Sequence, residues 1–177
     1  MKYFTPELYV RLQDFDADAM DRADAEWEAA QERYEERLRE LGGVLQPYAQ
    51  RLESVLLHDA TVRTITRGDD RLTIELLTDR SPKEVVVLSY ALAGEPLINR
   101  NALPEEHRGG VMQYQYDELD LLDRDGAPCP THSILFTNGW ELRIPFRDLH
   151  VTVAERIYPL QCPEDGSAIP ADASRRT

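Results

Sequence analysis

The sequence predicts an α+β domain: N-terminal helices, a long acidic amphipathic one plus a second, packed on a mainly antiparallel sheet of about six or seven strands. Three observations carry that expectation. Apolar residues recur at spacings of three and four as far as residue 57, and after it come strand-like runs, alternating in Arg71–Thr78 and continuous in "EVVVLSYAL". The pair Gly42-Gly43 interrupts the helical half. The pair Asn138-Gly139 lies between two alternating runs, as a hairpin turn does.

The first helix is "TPELYVRLQ", where Thr5 can cap and Pro6 suits the first position. Residues 16–41 form the long helix. Met20, Ala23, Trp27, Ala30, Tyr34, Leu38 and Leu41 make its apolar stripe, and Gly42-Gly43 stops it. A further helix is expected from about Leu45 to Leu57, with Tyr48, Leu52, Val55 and Leu56 on its apolar face. Pro47 fits only its first turn.

After His58 the pattern is that of strands. Val62–Arg67 and Arg71–Thr78 flank the turn signal "GDD". "EVVVLSYAL" is apolar on both parities and reads as a central strand. Residues 95–110 read as a loop, and "MQYQYDELDLL" as the next strand. In "HSILFTNGWELRIPF" a two-residue type I′ turn at Asn138-Gly139 sets Thr137 opposite Trp140, Leu135 opposite Leu142 and Ser133 opposite Ile144. His132, Ile134, Phe136, Glu141 and Arg143 then share the other face. Beyond Arg147-Asp148 the apolar parity flips, which takes a tight turn or a bulge, and Pro145 calls for an edge or a bulge. Trp27 and Trp140 are both expected to be buried. Residues 1–157 are read as one domain, helical over 1–57 and sheet over 58–157. Residues 158–177 are read as a mobile tail.

Composition narrows the function. The formal net charge is −13, and Asp14 to Glu40 holds eleven acidic and four basic residues, a net of −7. Such a chain repels phosphate backbones and anionic membranes, so neither nucleic acid nor membrane is an expected partner. An acidic helix face is either a solvated surface or a docking surface for a basic protein. No apolar run is long enough to span a membrane, "MKYFTPELYV" is no signal peptide, and two cysteines make no disulfide framework. The expected location is cytoplasmic. There is no P-loop, dinucleotide fingerprint, G-x-S-x-G or H-E-x-x-H, and no cofactor is expected.

Three groups of residues invite a chemical reading. Asp14, Asp16 and Asp18 occupy calcium-loop positions, but Ala19 and Ala25 stand where glycine and the bidentate glutamate belong, so helix capping explains them better. Cys129 and His132, with His150 and Cys162, supply zinc-ligand types without a paired motif. His58, Asp59 and His132 form the candidate polar cluster. His58-Asp59 is either a base with its orienting carboxylate or a structural junction between helix and strand. Position favours the junction, because the pair follows Leu57 and precedes the alternation near Val62.

The blocks "MKYFTPELY", "AEWEAAQERYEERL", "LHDATV" and "HSILFTNGWELRIPFRDL" together resemble an uncharacterised bacterial family of unknown function whose members open on a similar Met-Lys-Tyr-Phe-Thr block. That resemblance spans most of residues 1–155 and implies no activity. Separately, "LLHDATVRTITRGDDRLTIEL" looks like the opening of several immunity proteins of bacterial toxin systems, in which a Leu-His-Asp block precedes a hairpin. The basic partner implied by the acidic surface fits an immunity role. The expected function is therefore non-enzymatic, by protein–protein contact. The alternative is a small metal-binding protein or metal-dependent enzyme using His58, Asp59 and His132.

Overall fold

A computed structural model describes residues 1–13, 16–79, 82–124 and 126–157. The expected tail 158–177, with Cys162, and the candidate cap Asp14 lie outside the described residues. Helices α1 (Pro6–Arg11), α2 (Ala17–Glu40) and α3 (Gly42–Glu53) precede strands β1 (Thr61–Arg67), β2 (Arg71–Leu77), β3 (Lys83–Leu92), β4 (Leu97–Asn99), β5 (Tyr114–Arg124), β6 (Ala127–Phe136) and β7 (Glu141–Ile157). The fold is α+β. All strand pairs are antiparallel, in the order β1-β2-β3-β7-β6-β5, with short β4 added beside β7.

The helix caps follow from the sequence. Thr5 accepts a bond from the Leu8 N–H with Pro6 at the first position of α1, and Asp16 accepts one from the Ala19 N–H at the start of α2. Gly42-Gly43, however, opens α3 as well as ending α2, with Leu41 as the joint between the helices. Pro47 consequently sits inside α3 rather than in its first turn. Its ring projects toward the carbonyl of Gly43, four residues earlier, where no side chain adds to the crowding. Leu56 is exposed, and Leu57 is buried in its place.

Helix α3 lies over one face of the sheet, against β7 and β5, while α1 and α2 wrap the β5 edge. Leu45 and Leu52 of α3 join Leu88, Phe136, Ile144 and Phe146 in the main core. Phe4 and Leu8 join Ala30 and Trp27, while Tyr9 packs on Leu135, which alternates with the core residues Ile134 and Phe136 and so faces the other way. Between them α2 follows the outer edge of β5, where the Tyr34 hydroxyl accepts from the Leu119 N–H at 2.7 Å and Arg37 reaches Asp120 at 3.4 Å. An edge strand covered in this way offers less free backbone for stray pairing.

The β6–β7 hairpin corrects the expected register by one residue. His132 pairs Ile144 and Ile134 pairs Leu142. Gly139 N–H donates to the Phe136 carbonyl at 3.0 Å and Phe136 N–H to the Trp140 carbonyl at 2.9 Å. Gly139 has φ +84° while Asn138 is not left-handed. The turn is therefore a three-residue Thr137-Asn138-Gly139 loop ending in a left-handed glycine, not a type I′ turn. A one-residue slip moves a whole strand face. It brings His132, Ile134 and Phe136 to the same side as Leu142, Ile144 and Phe146, the apolar set that fills the core. Further along β7, Arg147 is an extra residue between the pairs Leu92–Phe146 and Ala91–Asp148. This bulge accounts for the parity flip. Pro145 is not at an edge; it lies just before the bulge, where β7 passes from pairing with β4 to pairing with β3.

Both tryptophans are half-buried rather than buried. Trp140 leaves the turn at the rim of the core, with the Arg100 guanidinium 4.9 Å from its ring centroid. Trp27 borders a cleft.

Candidate functional site

His58 and Asp59 are the middle residues of a tight turn in which the Ala60 N–H donates to the Leu57 carbonyl at 2.9 Å. Asp59 has φ +62°, a left-handed conformation that aspartate tolerates better than most side chains. The turn is fastened to β5 at one place. Asp59 N–H donates to the Tyr114 carbonyl at 2.8 Å, and Tyr114 N–H returns a bond to the Ala60 carbonyl at 2.9 Å. His58 Nδ1 donates to the Gln115 carbonyl at 2.9 Å, since that oxygen can only accept. Gln115 Nε2 donates to Asp59 Oδ1 at 2.9 Å.

That place is a β-bulge. Tyr114 pairs Phe136 and Tyr116 pairs Leu135, so Gln115 is the extra residue of β5. Three residues apart on a regular strand, Tyr114 and Asp117 would face opposite ways. The bulge puts both on the core side, where His132 arrives from β6. The turn at 58–59 satisfies the backbone groups that the bulge takes out of the ladder. The junction reading of His58-Asp59 therefore has a definite object, the shape of β5.

His132 is fully buried. Its Nε2 lies 2.9 Å from Asp117 Oδ2 and its Nδ1 2.8 Å from the Tyr90 hydroxyl. An ionised Asp117 accepts only, which places a ring proton on Nε2, while Nδ1 and the Tyr90 hydroxyl satisfy each other. The Tyr114 hydroxyl is 3.4 Å from Nε2 and also bonds to the Asp117 carboxylate. Burial, with the Asp117 charge second, holds the Tyr90 and Tyr114 phenols well above their ordinary range, so both remain donors. The result is a chain from buried Tyr90 through His132 to Asp117, whose side chain is 30% exposed.

Asp117 opens onto a cleft of about 410 Å³ between α2, α3 and β5. Trp27 and Tyr34 border it from α2, Glu53 from α3, and His58, Tyr114 and Asp117 from the junction and β5. Burial is also the main reason that the Tyr34 phenol is pushed up beyond the ordinary tyrosine range.

The structure thus separates the three residues expected to cluster. His58 and Asp59 approach each other at 3.5 Å and are each about half exposed. His132 is spent on Tyr90 and Asp117, and no three His, Cys, Asp or Glu residues converge as for a metal ion among the described residues. Cys129 is buried on β6, three residues from His132 and hence on the opposite face. His150 pairs with Asp148 at 2.8 Å. Asp117, Tyr90 and Tyr114 were not singled out by the sequence. "QYQYDELDL" offers polar residues on both parities, and nothing in it marks Gln115 as the extra residue.

No protein-family model matches the chain, and no curated protein matches it. Among the described residues no helix is long and apolar enough to cross a membrane.

Proposed function

We propose that the protein acts without catalysis, by binding a basic protein partner, in the manner of an immunity protein. The observation that carries this reading is the outward face of α2. All nine of its acidic residues are exposed, and only Ala23 and Ala30 of its 24 residues are buried. Asp18, Asp21, Glu28, Glu32 and Glu36 fall on the side of the helix turned away from that buried pair. A helix that keeps so much carboxylate in solvent creates a strong local field, which steers a cationic partner and rejects polyanions.

The metal-dependent alternative built on His58, Asp59 and His132 has weaker support. Both ring nitrogens of His132 already have partners in the core. Stoichiometric metal in the purified protein would restore that alternative.

A photoreactive residue at Glu32 tests the partner reading in cells. The expected result is one discrete cross-linked adduct with a basic protein. It should be lost when Asp21, Glu28 and Glu36 are replaced by lysine. A pattern no different from that of the same photoreactive residue at Arg63, on the far edge strand β1, would overturn it.

A further inference from the structure

We propose that the cleft between α2, α3 and β5 receives one arginine side chain of that basic partner, with Asp117 as its counter-ion. The proposal rests on the partner reading and names the group the partner inserts.

The carboxylates and the absence of lysine or arginine set the permanent charge of the lining. Glu35, Glu53 and Asp117 border the cleft, and no lysine or arginine does among the described residues. Asp117 differs from Asp120 and Asp148 nearby. Arg37 already pairs with Asp120, and Arg51 with Asp148. Asp117 is held instead by the His132 ring and the Tyr114 hydroxyl. Such a carboxylate is fixed in place with no arginine or lysine paired to it among the described residues, which is the property a counter-ion site needs.

The walls select the shape of the cation. Trp27 and Tyr34 present aromatic rings to the cleft, and Trp27 is braced by Phe4 at 4.5 Å and Tyr116 at 4.4 Å between centroids. A guanidinium is planar, lies against an indole or phenol face, and donates two parallel bonds to a carboxylate. An ammonium does neither as well. Rings fixed before binding lose little freedom when the side chain enters.

The test uses the full chain carrying Trp140→Phe, which leaves Trp27 as the only tryptophan. The probes are Gly-Arg-Gly and its neutral isostere Gly-citrulline-Gly. The arginine peptide should give a saturable change in Trp27 fluorescence that weakens with salt, and the citrulline peptide should give none. Asp117→Asn still accepts from His132 and should weaken arginine-peptide binding about tenfold or more. No saturable response, or an equal response to citrulline, overturns the proposal, and neither result depends on a cleft variant folding. Free arginine binding as tightly as the peptide overturns the assignment to a partner's side chain. The Glu32 cross-link reads the outer face of α2 and the titration reads the cleft, so either can fail alone.

Discussion

Asp59 and Gln115 hold each other across the junction of the two halves: the Gln115 amide donates to Asp59 Oδ1 at 2.9 Å, and the Asp59 N–H meets β5 one residue earlier, at Tyr114. Asp59 carries the one left-handed backbone among the described non-glycine residues, and Gln115 is the extra residue of a strand. Each irregularity supplies the bonds that the other lacks. Replacing Asp59 should reveal this. Asn keeps both the tolerance for positive φ and the accepting oxygen, so Asp59→Asn should be close to neutral. Asp59→Gly removes the backbone strain but loses the bond to Gln115. Asp59→Ala keeps the strain and loses the bond, and should cost about 1–3 kcal/mol. Urea melts of the three variants check the order. Equal costs for Gly and Ala would mean the left-handed backbone carries no strain.

Gln115→Ala tests the other partner. It removes the side-chain bond to Asp59 while leaving the backbone bonds of Tyr114 in place. The expected loss is about 1–2 kcal/mol, the cost of a half-buried carboxylate oxygen losing one donor. Because the bulge aims Asp117, the His132 ring resonances should also shift in nuclear magnetic resonance spectra. Unchanged His132 resonances would separate the bulge from the cleft.

The distinction between what the sequence reveals and what it hides follows from local and non-local causes. The caps at Thr5 and Asp16, the stripe through Ala23 and Ala30, the central strand over "EVVVLSYAL" and the bulge near Arg147 are each written in a few adjacent residues. The hairpin register is not. Asn138-Gly139 suits a two-residue turn, yet that turn would set Ile134 and Phe136 opposite the face holding Leu142 and Ile144. Burial of those four on one side outweighs the local preference. The site depends on the same kind of decision at Gln115, where only the partner strand and the 58–60 turn show which residue is extra. His58 and Asp59 were legible as a junction; that the junction shapes the setting of Asp117 was not.

The turn itself gives a second stability test. Gly139 has φ +84°, and a β-carbon there would fall 2.8 Å from Arg108 Nε, whose donor bond to the Leu103 carbonyl is 2.8 Å. Gly139→Ala should therefore cost about 1–2 kcal/mol from the left-handed backbone, with a further loss as Arg108 shifts. Gly139→Asn should cost less in backbone strain. Calorimetry on both, beside Arg108→Ala as a control, measures the two contributions. An unchanged melting temperature for Gly139→Ala would reject the three-residue turn.

Glu118 should be among the most costly carboxylates to remove. It is buried, and it accepts from the N–H groups of Lys2, Tyr3 and Phe4 at 2.7, 2.6 and 2.6 Å. These bonds pin the segment that carries Phe4 against Trp27. Glu118→Ala leaves three donors without an acceptor and should cost about 3 kcal/mol or more. Glu118→Gln keeps an oxygen and should cost less. Amide exchange at residues 2–4 should accelerate in the alanine variant before the rest of the chain is affected. Uniform acceleration would mean the segment unfolds only with the whole domain.

The buried phenols predict the alkaline limit of the fold. Burial, and then the charge of Asp117, raise Tyr90 and Tyr114 well above the ordinary tyrosine value of 10.0, and burial does the same for Tyr34. The folded state thus binds these protons more tightly than the unfolded chain does. The stability this contributes is fully present below about pH 10, the unfolded value, and is lost as pH rises through the folded values. Phenolate absorbance should accordingly rise in two stages: the accessible tyrosines ionise reversibly first, and Tyr34, Tyr90 and Tyr114 follow only as near-ultraviolet circular dichroism collapses. Tyr90→Phe should remove one phenol from the second stage. It also leaves His132 Nδ1 without its partner, so the variant should be less stable at neutral pH by about 1–3 kcal/mol. Ionisation of all the tyrosines in one stage, with the circular dichroism intact, would show that the phenol groups behind Asp117 are open to solvent and that the chain Tyr90–His132–Asp117 is not closed.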